Sequence, residues 1–166
     1  MDIRMITERD VEQYMNLRIN DLKQYSDAFE SSLEEEVETC MERMYHRIAS
    51  EEEMAFGAFE AEQLVGTVSL LLSQQARLKH RARIIGLYVD HAYRNSGVSR
   101  MLIKKAIEEA KNNKAVEQLY INVVASDFIA KRLFKSLGFH TYAVDRNAIK
   151  IDGKYYDEEL MVLSFV

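Results

Sequence analysis

Six residues, Arg94-Asn-Ser-Gly-Val-Ser99, have the types and spacing to hold a phosphate group. They stand between an apolar run, Ile84-Ile-Gly-Leu-Tyr-Val89, and an amphipathic segment that begins at Val98. A strand feeding a turn and then a helix leaves the helix's first backbone N–H groups without intrahelical partners. Those groups point outward from the end of the helix, where the macrodipole adds partial positive charge. Gly97 has no Cβ to block an approaching anion, and Arg94 adds a full positive charge at the mouth. Other chemistries find no comparable pattern. The four histidines, at 46, 80, 91 and 140, fall into no metal-ligand spacing with cysteine or carboxylates, so no metal is expected. Neither a Gly-x-Ser-x-Gly elbow nor a Walker-type glycine loop is present.

The elements that position this turn follow from the rest of the chain. With 166 residues, no proline, no Gly/Ser-rich linker and no repeat, residues 1–166 are expected to form one domain. A chain of this size buries about 70% of the surface it exposes when unfolded and needs no disulfide. The single cysteine, Cys40, has no internal partner and is read as a surface or half-buried thiol in a reducing compartment. The N-terminus lacks a basic and then apolar leader pattern, and no stretch approaches the roughly 18 apolar residues that cross a bilayer, so a cytoplasmic protein is expected. The net charge of -5 argues against a general grip on nucleic acid. The acidic runs Glu34–Glu36 and Glu51–Glu53 read as solvated helix ends. Alternatively, Glu30, Glu34, Glu35 and Glu36 meet a cationic acceptor.

Ile3–Ile6 reads as a short strand, followed at Thr7-Glu-Arg-Asp10 by a capping-box variant that opens a helix to about Tyr25, with Val11, Tyr14, Met15 and Leu17 or Arg18 inward. Ser31 and Ser32 offer a second cap, for a helix to about Ala49 with Val37, Met41, Met44, Tyr45 and Ile48 inward. Residues 54–60 and 63–72 form a hairpin across Ala61-Glu62, residues 73–80 a polar loop, and residues 81–89 a further strand. A helix from about Gly97 to Asn112 follows, with Met101, Leu102, Ala106, Ile107 and Ala110 on one face. Residues 117–124 are a strand, and Ser126–Leu137 a helix closed by Gly138. Residues 139–151 and 154–165 pair across Asp152-Gly153. The order β-α-α-β-β-β-α-β-α-β-β is mixed α/β with an antiparallel front half and a crossover helix in the middle.

This order, with the phosphate turn after the fourth strand, resembles the GNAT superfamily of acetyl-CoA-dependent N-acetyltransferases over nearly the whole chain. Val89-Asp-His-Ala-Tyr-Arg-Asn-Ser-Gly-Val-Ser99 is similar to the family's strand end and (Arg/Gln)-x-x-Gly-x-(Gly/Ala) motif, with Ser99 in the final small position. Asp127-Phe-Ile-Ala-Lys-Arg-Leu-Phe-Lys-Ser-Leu-Gly-Phe139 is similar to its Asn-x-x-Ala-x-x-Leu-Tyr and Gly-Phe pattern. The third match, residues 149–161, resembles the closing hairpin of many bacterial members.

The resemblance implies a mostly antiparallel central sheet flanked by about four helices, with acetyl-CoA as co-substrate. Arg94, Asn95, Ser96, Gly97, Val98 and Ser99 would bind the CoA pyrophosphate. Leu87, Tyr88 and Val89 would pair with pantetheine like an added strand, and a Leu87 or Tyr88 backbone N–H would polarise the thioester carbonyl. Asp127, Ala130 and Phe134 would lie on the cofactor arm. Asp127 stands where many members have Asn, and a carboxylate lacks the donors of an amide; it equally suits a helix's first turn. Phe134 stands where many members have a Tyr that protonates the departing thiolate, and residues 81–89 contain no carboxylate to act as a base. Tyr88, Tyr120 and Asn122 are candidate anchors for a water relay instead. Leu133, Leu137 and Phe139 read as core. The expected reaction is acetyl transfer to a primary amine of a small molecule or peptide. The alternatives are a non-catalytic acyl-CoA-binding module and a dimerising interaction protein, and a homodimer is left open.

Overall fold

The computed structural model describes residues 1–25 and 33–166, with the backbone alone at positions 21, 22, 24, 25, 33–36 and 38–40. The expected order of elements is observed. Strand β1 (Asp2–Met5) precedes α1 (Val11–Tyr25) and α2 (Leu33–Ala49), then β2 (Glu53–Glu60), β3 (Gln63–Leu72) and β4 (Arg81–Val89). Helix α3 (Val98–Asn112), β5 (Gln118–Val124), α4 (Phe128–Ser136), β6 (His140–Ile151) and β7 (Lys154–Ser164) complete it. The polar loop after β3 contains a short 3-10 turn, Ala76–Leu78. The seven strands form one sheet in the order β1-β2-β3-β4-β5-β7-β6. Pairings β1–β2, β2–β3, β5–β7 and β6–β7 are antiparallel, while β4 and β5 pair in parallel from Arg81↔Gln118 to Arg83↔Tyr120. The mixed, mostly antiparallel α/β architecture with four helices is therefore as the sequence implies.

The chain forms two compact units, Met1–Leu71 with Ile85–Ala106, and Leu72–Ile84 with Ile107–Val166. In the first, the start of α1 is fixed by one carboxylate. Asp10 accepts the Thr7 backbone N–H at 2.8 Å and the Thr7 hydroxyl at 3.0 Å, and it receives both Arg4 Nη atoms at 2.8 and 2.9 Å. These bonds, led by that from Arg4, pull the Asp10 carboxyl down to about 2. Val11, Tyr14, Met15 and Leu17 then turn inward against Ile6, Met44, Ala55, Phe59 and Leu64. Gln13 ties α1 to the β2–β3 hairpin: its Oε1 accepts the Leu64 N–H at 2.8 Å and its Nε2 donates to Glu62 O at 3.2 Å. Helix α3 comes close to β3 at Gly66, where an added Cβ would lie 3.1 Å from a Leu102 methyl.

The inward faces of α2 and α3 are narrower than their sequences suggest. On α2, Met44 is buried and Val37, Met41 and Ile48 pack against the core, but Tyr45 is 46% exposed. On α3, Leu102, Ile103, Ala106 and Ala110 are buried, whereas Met101 is 39% exposed and Ile107 half-buried. Both large residues sit one position off the stripe, a 100° rotation on a helical wheel. Leu133 and Leu137 are half-buried, and Phe139 is core. The Ser31 and Ser32 caps, Glu30, and the side chains of Glu34, Glu35, Glu36 and Cys40 lie outside what is described.

Candidate active site

The phosphate-type turn lies in the first unit. As β4 ends, Asp90 N–H donates to Val65 O at 2.8 Å, and the Asp90 carboxylate accepts Ala92 N–H at 2.8 Å, which starts a single 3-10 turn over His91–Tyr93. Arg94 folds back on the strand end, its Nε donating to Val89 O at 3.2 Å and its guanidinium carbon 5.8 Å from the centre of the Tyr88 ring. Asn95 and Gly97 then adopt left-handed backbone at φ +60° and +86°, a conformation asparagine tolerates and glycine favours. Ser96 Oγ donates to Tyr93 O and closes the turn. The first α-helical bond of α3 runs from Met101 N–H to Gly97 O at 3.1 Å, so the N–H groups before it face the end of the helix. The Val98 side chain is buried, which leaves its backbone as the part presented to an anion. Space around Gly97 is open: nothing lies within 4 Å of the position of a Cβ.

A cavity of about 210 Å³ lies in the same unit. Its wall on β3 and β4 is made by Thr67, Ser69, Ile85, Gly86 and Tyr88, and its helical wall by Tyr14, Leu17 and Arg18 of α1 with Arg43 and Arg47 of α2. Gly86 sits inside β4 at φ +61°, a left-handed residue that kinks the strand, and its carbonyl accepts the Thr67 hydroxyl at 3.2 Å. Arg47 is held by Glu53, Nε to Oε2 at 3.1 Å, from a carboxylate that is itself buried. Among the described residues, no carboxylate lines the cavity. Of the sequence candidates, Tyr88 is on its wall. Arg18, Arg43, Arg47, Thr67, Ser69 and Gly86 were not singled out from the sequence. The available signals were two arginines at i, i+4 spacing beside the inward Met44 and Ile48, and two hydroxyls at i, i+2 in an apolar strand.

Leu87, half-buried, and Val89, buried, lie on β4 in the first unit, while Asp127, Ala130, Phe134, Tyr120 and Asn122 belong to the second. Asp127 is the N-cap of α4 and its carboxylate accepts Ala130 N–H at 2.9 Å, so the helix-start reading of this residue is realised. Phe134 is 2% exposed and packs edge-to-face on Phe139, with ring centres 5.3 Å apart. Tyr120 donates to Gln118 Oε1 at 2.6 Å under the Arg81 guanidinium, and Asn122 donates to Glu158 at 3.2 Å. Lys131 of α4 pairs with Glu159 of β7 at 2.5 Å, and Thr141 of β6 donates to the other Glu159 oxygen at 2.7 Å. These two bonds hold the Glu159 carboxyl below its ordinary range. Among the described residues, no three of His, Cys, Asp and Glu are placed to hold a metal, and no helix is long and apolar enough to cross a membrane.

The strand–turn–helix seat, the sheet order and the closing hairpin define an acetyltransferase class of fold. Residues 3–160 match the family model described as an acetyltransferase (GNAT) domain, and the chain belongs to that family. It is similar to the probable N-acetyltransferase YjcK of Bacillus subtilis, at 26% identity over 119 residues, covering 70% of this chain and 65% of the relative. It is also similar to the L-amino acid N-acetyltransferase AaaT of Escherichia coli, at 26% identity over 98 residues, covering 59% of this chain and 60% of the relative. The chain thus spans less than two thirds of the length of the curated relatives it matches. Among solved structures, a probable acetyltransferase from Staphylococcus epidermidis superposes with a TM-score of 0.79 at 27% identity, over 99% of both chains.

Proposed function

We propose that residues 1–166 act as one acetyl-CoA-dependent N-acetyltransferase domain, passing the acetyl group directly to a primary amine of a small molecule or peptide. The observation that carries this reading is the seat at the end of β4, where left-handed Asn95 and Gly97 present the start of α3 in open space. Backbone N–H groups there suit the CoA pyrophosphate, in the stretch Arg94–Ser99. Leu87, Tyr88 and Val89 take the pantetheine, and a Leu87 or Tyr88 N–H polarises the thioester carbonyl. By resemblance to the family, Asp127, Ala130 and Phe134 are contacts of the cofactor arm. A lone cysteine fits a cytoplasmic setting.

In the reaction, the amine nitrogen attacks the thioester carbon, a C–N bond forms, the C–S bond breaks, and CoA leaves as its thiolate. The nitrogen's proton passes to water. An alkyl amine of pKa about 10.4 is only about 0.04% neutral at pH 7, which adds about 4 to 5 kcal/mol to the barrier. Tyr88, on the cavity wall, is the proposed anchor of the relay that removes this proton. A thiolate of pKa about 8.5 leaves without an acid, so Phe134 in place of tyrosine is tolerated. A second reading, an acyl-CoA-binding module without chemistry, draws on that same phenylalanine.

Heat denaturation with acetyl-CoA tests the seat. A raised melting temperature is expected, lost in Gly97→Glu, whose carboxylate would enter the open space and repel phosphate. Absence of the rise in the wild type sinks the cofactor assignment. A thiol-release assay over a panel of amines then separates enzyme from binding module: amine-dependent release is expected, and none above hydrolysis overturns catalysis.

A further inference from the structure

Resting on the acetyltransferase reading, we infer that Thr67 is a positioning residue for the reaction: its hydroxyl fixes the Gly86–Leu87 peptide so that Leu87 N–H, and not Tyr88 N–H, meets the thioester carbonyl. Thr67 is buried on β3, and its hydroxyl donates to Gly86 O at 3.2 Å. That oxygen shares one planar, trans peptide unit with the Leu87 N–H, and the C=O and N–H bonds of such a unit project in opposite directions. Holding the oxygen toward β3 therefore aims the Leu87 N–H away from β3.

The contacts that follow along the chain agree. In an extended strand a residue's own N–H and C=O project to one side, and those of the next residue to the other. Tyr88 O lies against β3, 3.1 Å from where a Cβ on Gly66 would stand, and Asp90 N–H donates to Val65 O at 2.8 Å. Val89 O instead receives Arg94 Nε at 3.2 Å, from the turn that forms the proposed pyrophosphate seat. Residues 88 and 90 thus address β3, while 87 and 89 address the side from which Arg94 approaches. A donor for a thioester whose CoA rests in that seat belongs to the second set, and Leu87 supplies it.

The regular alternation of a strand does not set the Gly86–Leu87 peptide, because Gly86 is left-handed at φ +61°. Without a Cβ, and with nothing within 4 Å of where one would stand, glycine leaves the adjoining peptide free to rotate. The Thr67 bond removes that freedom. It also polarises the unit, since a peptide whose carbonyl accepts a hydrogen bond is a stronger N–H donor. When the amine adds, the carbonyl π electrons move onto oxygen, and an N–H already aimed there stabilises the charge until the C–S bond breaks.

The test needs no acceptor. Acetyl-CoA isotopically labelled in its acetyl carbonyl is bound to the full chain, and the C=O stretch is read by difference infrared spectroscopy. In the wild type the band should lie at lower frequency than in free acetyl-CoA. Thr67→Val, which keeps the shape and removes the hydroxyl, should lose at least half of that shift, and Thr67→Ser should retain it, with acetyl-CoA still bound in both. In thiol release with an amine that is turned over, Thr67→Val should lower kcat about 10-fold with KM for acetyl-CoA little changed, a part of the roughly 100- to 1,000-fold that deleting an oxyanion donor costs. No shift in the wild type, an equal shift in Thr67→Val, or loss of the shift in Thr67→Ser overturns the inference and leaves the acetyltransferase reading standing. A wild type that binds no acetyl-CoA overturns both. Should Thr67→Val fail to fold, NMR of the wild type with isotope-labelled leucine and tyrosine decides. Replacing bound CoA by acetyl-CoA should move the Leu87 amide proton downfield, and by more than that of Tyr88; a larger response at Tyr88 overturns the inference.

Discussion

Asp10 shows how much one side chain settles at the entrance to the first helix. Its carboxylate takes four hydrogen-bond donors, two from Arg4 and two from Thr7, with only a few per cent of its surface in water. Asp10→Ala is expected to cost about 1–3 kcal/mol in urea unfolding, because it removes the cap and leaves Arg4 without its partner. The pH dependence has a definite sign. With a folded pKa of about 2 against about 3.9 unfolded, the stabilisation is complete above pH ~4 and disappears as pH falls toward 2. The wild type should therefore lose stability across that window more steeply than Asp10→Ala. Thr7 and Asp10 were legible as a capping-box variant because capping depends on neighbours in sequence. Arg4, which contributes the leading bond, was not, since nothing in the spacing shows that β1 lies beside the start of α1.

At the scale of elements, the strands and hairpins were legible because turn chemistry and apolar runs are local. The hairpin at Asp152-Gly153 is an example, with β6 ending at Ile151 and β7 starting at Lys154. The helical faces were less so. Tyr45 and Met101 carry the same apolar signal as their buried neighbours, and only the packing partner decides which residue of a wide stripe is left in water. In the second unit, α4 is fastened to β7 and β6 through Lys131, Glu159 and Thr141, a link the family motif does not contain. Replacing Lys131 with methionine preserves helix propensity and most of the apolar stem, yet leaves Glu159 half-satisfied. A loss of about 1–2 kcal/mol is expected by denaturant titration. The Glu159 carboxyl, observed by NMR, should titrate higher than in the wild type as its leading donor is lost.

For the whole molecule, the turn at Arg94–Ser99 was legible in the sequence as a candidate phosphate seat, while the cavity lined by α1, α2, β3 and β4 was not. A phosphate seat is built from contiguous backbone, so six residues in a row describe it. The cavity draws on α1, α2, β3 and β4, and its arginines look in sequence like any solvated helical face. The bend at Gly86 has one more consequence. A Cβ there would meet nothing within 4 Å, so a methyl group would clash with no protein atom at this position on the cavity wall. If the proposed acceptor lies in this cavity, position 86 works as a calibration screw for its dimensions. Gly86→Ala should cost about 1–2 kcal/mol for its left-handed backbone and narrow the range of accepted amines, raising KM for bulky acceptors more than for compact ones in a competition assay.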